Sequence, residues 1–180
     1  MRNAARFLLP LALALVSVPA AAQRLPGAAP TNPAERGIAR HQYTQDVLRA
    51  HEALVRRWME AWAEGDVKAV GRSYAETATV VFDAQEKAQG KGAVEQWLRR
   101  SVPEMSEVRT ALTDFRASGA LAYAYGTFSY QPRSAPGGSP AQVTGTYVAV
   151  LVEERGRWKY QTQVFIPDAP QAPAPAVGGN

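Results

Sequence analysis

Residues 44–66 read TQDVLRAHEALVRRWMEAWAEGD. Val47, His51, Leu54, Val55, Trp58 and Trp62 recur at three- and four-residue steps, which lays them along one face of an amphipathic helix. Arg56, Arg57, Glu60 and Glu64 fall largely on the other side. Gly65 can take the left-handed conformation that ends a helix, and Asp66 can cap the next one. The spacing predicts a long helix over 44–64 and a short one over 67–74, with Val67, Val70 and Tyr74 apolar.

Downstream the period changes from helix to strand. Residues 77–82 are rich in β-branched side chains and read as a strand. Residues 83–91 are polar and turn-like, with room for a short return strand. A third helix is expected over 93–102, with Val94, Trp97 and Leu98 on one face and Pro103 as its stop. Four strands then follow at 108–117, 121–131, 143–153 and 158–166, separated by Ser118-Gly119, a Pro- and Gly-rich loop over 132–140, and Arg155-Gly156. Consecutive strands joined by turns make an antiparallel meander. Helices first and strands after is an α+β pattern: three N-terminal helices packed on a curved antiparallel sheet and enclosing a pocket.

Working outward, the flanks differ in kind from this domain (44–167). Arg2 and Arg6 precede an apolar run over 7–18, and Ala20-Ala21-Ala22 offers small residues to a peptidase, so residues 1–22 read as a secretory signal peptide. Cleavage near Ala22 makes the expected location periplasmic or secreted, without stable membrane insertion afterwards. Residues 23–43 read as a flexible leader and 168–180 as a disordered tail. The chain has no cysteine, which excludes disulfides, thiolate metal sites and a cysteine nucleophile. Loss of Arg2 and Arg6 leaves 18 basic and 16 acidic residues, a net of +2, too small and too scattered for nucleic-acid binding.

Several local strings, in order, resemble the SnoaL-like group of the nuclear-transport-factor-two-like superfamily, which has the ketosteroid-isomerase-type fold. They are Trp58-Met59-Glu60-Ala61-Trp62 running into Gly65-Asp66, then Ser73-Tyr74-Ala75, Ala78-Thr79-Val80, Gly90-Lys91-Gly92-Ala93-Val94 and Gly156-Arg157-Trp158-Lys159. The resemblance implies a cone: a bent sheet wrapped round the first helix, with a cavity at the open end and frequent pairing as homodimers. It does not imply one activity, because one fold hosts many.

The resemblance also locates where isomerase chemistry would sit. The tyrosine that holds the enolate oxygen falls at Trp58, and the carboxylate base falls at Phe82, which cannot take a proton. Asp83 is adjacent, but a one-residue shift on a strand turns the side chain to the opposite face unless a bulge intervenes. Asp114 is either a cavity carboxylate or a residue of the solvent face. His51, on the apolar helix face, is either a core residue or a general base. These three are the catalytic candidates. No His or carboxylate spacing suggests a metal, and no cofactor is expected.

Aromatic residues carry the stronger signal. Tyr123, Tyr125, Tyr147, Trp158 and Tyr160 occupy alternating strand positions, so each set shares a face. With Trp58, Trp62, Tyr74, Phe82 and Trp97 they are candidates to line an apolar pocket suited to flat or hydrophobic ligands. The expected function is binding of a small hydrophobic or aromatic molecule in the cone, or dimeric association, without strong catalysis. The alternative is an isomerase, cyclase or dehydratase acting on a polycyclic or carbonyl substrate. The expected partners are the small molecule and a second copy of the chain.

Overall fold

The computed structural model of the chain describes residues 32–83, 86–133 and 142–169. Among them the order is α1 (Pro33–Glu64), α2 (Val67–Gly71), β1 (Tyr74–Phe82), β2 (Glu86–Gln89), α3 (Lys91–Glu104), β3 (Met105–Ser118), β4 (Leu121–Pro132), β5 (Val143–Glu154) and β6 (Arg157–Pro167). The class is α+β, as expected. The helices are not all N-terminal, however: β1 and β2 stand between α2 and α3, and α2 is a single short turn.

Helix α1 begins well before Thr44. Asn32 accepts the Glu35 N–H at 2.8 Å, Pro33 occupies a first-turn position where its missing N–H costs nothing, and Glu35 sets an acid near the positive end of the helix dipole. Residues 33–43, read from sequence as leader, are therefore helical, because this capping signature outweighs their poor apolar periodicity. Residues 1–31, 84–85, 134–141 and 170–180 lie outside the described residues, and the expected signal peptide, the first part of the expected leader and most of the expected Pro- and Gly-rich loop and tail fall there. At the other end Gly65 adopts φ 73°, and the Asp66 carboxylate accepts the Ala69 N–H at 2.9 Å, as the sequence predicts.

Tyr74 does not close α2; it opens β1. The Ser73 carbonyl accepts the Tyr160 N–H at 2.8 Å, which ties the chain to β6 well before the β-branched run at 77–82. Pro103 does not stop α3 before itself. It sits in the last helical turn, and the chain turns extended at Met105.

The sheet is open, with strand order β2-β1-β6-β5-β4-β3. Strands β3 to β6 form the expected antiparallel meander, while β1 runs parallel to β6 and antiparallel to β2. Alternation sends Ala122, Ala124, Gly126 and Phe128 of β4, and Gly145, Tyr147, Ala149 and Leu151 of β5, to the face covered by α1. The small residues at its centre give that face the depth to receive Trp58 and Trp62, both fully buried. Irregularities bend the sheet round the helix. Gln161 is an extra residue opposite Val150 and Leu151, and its amide nitrogen donates to the Thr77 carbonyl at 3.2 Å. Strand β3 breaks register twice, once at Glu107 with φ 49° and once between Leu112 and Asp114.

Candidate functional site

The aromatic candidates on the helices converge. Phe82, at the end of β1, points inward, with its ring 6.2 Å from Trp97, 6.3 Å from Phe128, 6.2 Å from Tyr130 and 6.0 Å from Phe165. Trp62 meets Trp97 edge-on at 6.1 Å and lies 4.9 Å from Trp58. These rings nearly fill the space between α1, α3 and the sheet. The hollow they leave is about 20 Å³, which is room for one water molecule. Phe82, the position to which the family resemblance assigns a base, is a wall of this hollow.

Behind the rings runs a buried hydrogen-bond chain. The Trp58 indole N–H donates to the Tyr74 hydroxyl at 3.2 Å, and Tyr74 donates to Gln163 Oε1 at 2.6 Å. Burial raises the Tyr74 and Tyr160 phenols well above the ordinary tyrosine range, so both stay protonated. The indole nitrogens of Trp62 and Trp97 are buried with no hydrogen-bond partner among the described residues.

A second, larger space lies between α1 and β3. It measures about 350 Å³ and is walled by Val55 and Met59 of α1 and Thr110 and Leu112 of β3. His51 and Tyr147 also line it, and the exposed Glu52 and Arg56 stand at its rim. His51 is 2% exposed, and neither of its ring nitrogens has a partner among the described residues. Burial pulls its pKa down to about 4, so the imidazole is neutral at pH 7. Burial pushes the Tyr147 phenol up to about 12.

The phenol reaches this space because of Gly126. A Cβ there would lie 2.9 Å from Tyr147 Cε1 and 2.0 Å from the Ala111 carbonyl oxygen. Its absence lets the Tyr147 ring lean across β4 towards the bulged β3.

The carboxylate candidates stay outside both spaces. Asp83 is exposed in the turn after β1 with φ 47°; burial, and after it the Asp83 carboxylate, raises the Tyr130 pKa at the rim of the aromatic cluster. Asp114 pairs in register with Tyr125 on the convex face, half-exposed and 3.4 Å from Arg116. Tyr123 and Tyr125 correct the sequence reading as well. They alternate with buried Ala122 and Ala124, so they face away from the helices, beside Val150 and Val148. Tyr74, Tyr147, Tyr160, Trp58, Trp62 and Trp97 do face inward and are buried.

Sequence reasoning missed Phe128, Tyr130, Phe165, Met59 and Thr110. The signal for Phe128 and Tyr130 was present in the run Ala122, Ala124, Gly126, Phe128, Tyr130, a single face of β4.

A groove of about 590 Å³ on the other flank of α1 mixes Arg57, Arg72, Arg157 and Lys159 with Glu60, Glu64 and Asp66.

Residues 55–161 match the family described as SnoaL-like domain. None of the curated proteins matches the chain. Among solved structures, a putative scytalone dehydratase from Novosphingobium aromaticivorans superposes with a TM-score of 0.61 at 15% identity, over 77% of this chain and 99% of that one. A ketosteroid isomerase-like protein from Erwinia carotovora atroseptica gives 0.57 at 14% identity, over 66% and 94%. A putative calcium/calmodulin dependent protein kinase II association domain from Xanthomonas campestris gives 0.58 at 18% identity, over 69% and 89%. At such identities the likeness is one of fold.

Proposed function

The chain belongs to the SnoaL-like domain family, and from that premise we propose that it binds a small hydrophobic or aromatic molecule beneath α1, without strong catalysis. One observation supports this reading above the others. The side chains around the hollow are aromatic and aliphatic, the position suited to a base holds Phe82, and the single buried imidazole, His51, has no acidic partner among the described residues. The rival reading, an isomerase, cyclase or dehydratase, draws on the likeness to the structure named a putative scytalone dehydratase. It would have to work through His51, because Asp83 and Asp114 lie outside.

Export with removal of residues 1–22 belongs to the same proposal, as does pairing of two copies through the convex face. Tyr123 and Tyr125 of β4, Val148 and Val150 of β5 and Val164 of β6 are neighbours in register there and form a half-exposed apolar surface.

The test is mass spectrometry of small molecules retained by protein purified from its native compartment, with thermal shifts across a panel of hydrophobic metabolites. A retained compound, or a rise in Tm with one chemical class, is expected. A protein that is empty and unmoved by the whole panel would sink the binding reading, and turnover of a carbonyl compound would replace it with the catalytic one. Sedimentation of the mature protein reports the pairing.

A further inference from the structure

The space between α1 and β3 combines three features that ordinary core packing does not require together. His51 is almost wholly buried, yet both ring nitrogens lack a partner among the described residues. Such groups cost free energy unless something else satisfies them. Tyr147 brings a phenol to the same space, and it does so only because β4 carries Gly126 at the crossing point. The space itself measures about 350 Å³. A dry pocket of about 150 Å³ holds benzene, so this one has room for a molecule of two fused rings.

We propose that this cleft selects neutral, largely apolar molecules that carry one hydroxyl or carbonyl oxygen, which His51 and Tyr147 hold by hydrogen bonds. The inference rests on the binding function proposed above and names the chemistry of its ligand.

The polar groups fit that class. A neutral imidazole offers one N–H donor and one bare acceptor nitrogen, and a phenol donates and accepts. A hydroxyl can give its proton to the imidazole while accepting from Tyr147. A carbonyl can accept from both. The remaining walls, Val55, Met59 and Leu112, provide the apolar contact. Thr110 adds a hydroxyl to the wall, which donates only weakly to the Met59 sulfur at 4.0 Å.

A carboxylate is the poorer fit. Held at His51 it would surrender hydration, and the guanidinium that lines the cleft, Arg56, is exposed and shares its helix face with Glu52. The His51 nitrogens are closed to solvent, so an entering oxygen must displace a wall. Met59, unbranched and polarizable, is the one that yields most easily.

The experiment titrates the mature chain with naphthalene, 2-naphthol, 2-acetylnaphthalene and 2-naphthoate, and follows both the dissociation constants and the His51 imidazole nitrogen resonances. Two neutral hydrogen bonds set the expected scale: 2-naphthol and 2-acetylnaphthalene bind about tenfold more tightly than naphthalene, 2-naphthoate binds no better than naphthalene, and the His51 resonances move. His51→Phe and Tyr147→Phe each reduce the preference for the oxygenated probes while naphthalene binding persists. An equal preference in both variants, strong naphthoate binding, or shifts confined to the Trp62–Trp97 cluster would overturn the proposal and leave the binding function standing. If no probe binds, naphthalene included, the binding function falls and this proposal falls with it.

Discussion

The imidazole of His51 stacks on the ring of Phe115, with centroids 5.3 Å apart and planes inclined by 29°. One partner comes from α1 and the other from β3, so the contact pins the helix to the edge of the sheet. An imidazole buried away from water resists protonation, which is why its pKa falls from 6.5 to about 4.

Acid should therefore loosen the fold through this residue. Between about pH 4 and 6.5 the unfolded chain holds a proton on His51 that the folded chain does not. Stability then rises with pH across that window and is lost as pH falls through it. The full effect is about 3 kcal/mol. Urea unfolding at pH 7 and pH 4.5 measures it, and a His51→Phe chain should show the smaller drop. Equal drops would reject the assignment.

Tyr74→Phe should destabilise the protein by about 3 kcal/mol, because it orphans both the Trp58 N–H and Gln163 Oε1. Adding Gln163→Leu should recover part of that loss, since the second change removes an unpaired acceptor. Denaturant midpoints for the two single variants and the double variant decide it.

Gly126→Ala is expected to cost about 3 kcal/mol or more, since the new methyl group meets the Ala111 carbonyl at 2.0 Å as well as the Tyr147 ring. Gly92→Ala is the control. Nothing lies within 4 Å of its added Cβ, so stability should hold or rise slightly. Thermal melts of the pair test the contrast.

Phe82→Ala should cost about 3 kcal/mol and open the aromatic hollow. Indole or benzene should then raise the Tm of the variant more than that of the parent, whose α1–β3 cleft can itself take an aromatic ring. A parent that responds equally would mean that the ring does not fill the space.

The scaffold was legible because its periods are local. The α1 stripe, the Gly65-Asp66 break and the four meander strands each announce themselves within a few residues. The start of α1 was missed because Asn32 and Pro33 look like linker residues until the cap they form is considered as a unit. The candidate site was only half legible. Alternation divides strand residues into two faces but does not say which face is inner, and Tyr123 and Tyr125 were placed on the wrong one. His51 was visible as an oddity on an apolar face. Its companion Tyr147 depends on Gly126 across a strand boundary, a relation between β4 and β5 that no single segment encodes.

The margins of the sheet carry a last consequence. On one side β2 offers only Glu86–Gln89. On the other, β3 is kinked twice and bears Arg109, Asp114 and Arg116. Edge-to-edge growth into fibrils needs a straight, uncharged run of free amides, and neither rim supplies one. A further strand approaching the described sheet therefore meets a short edge on one side and a kinked, charged one on the other.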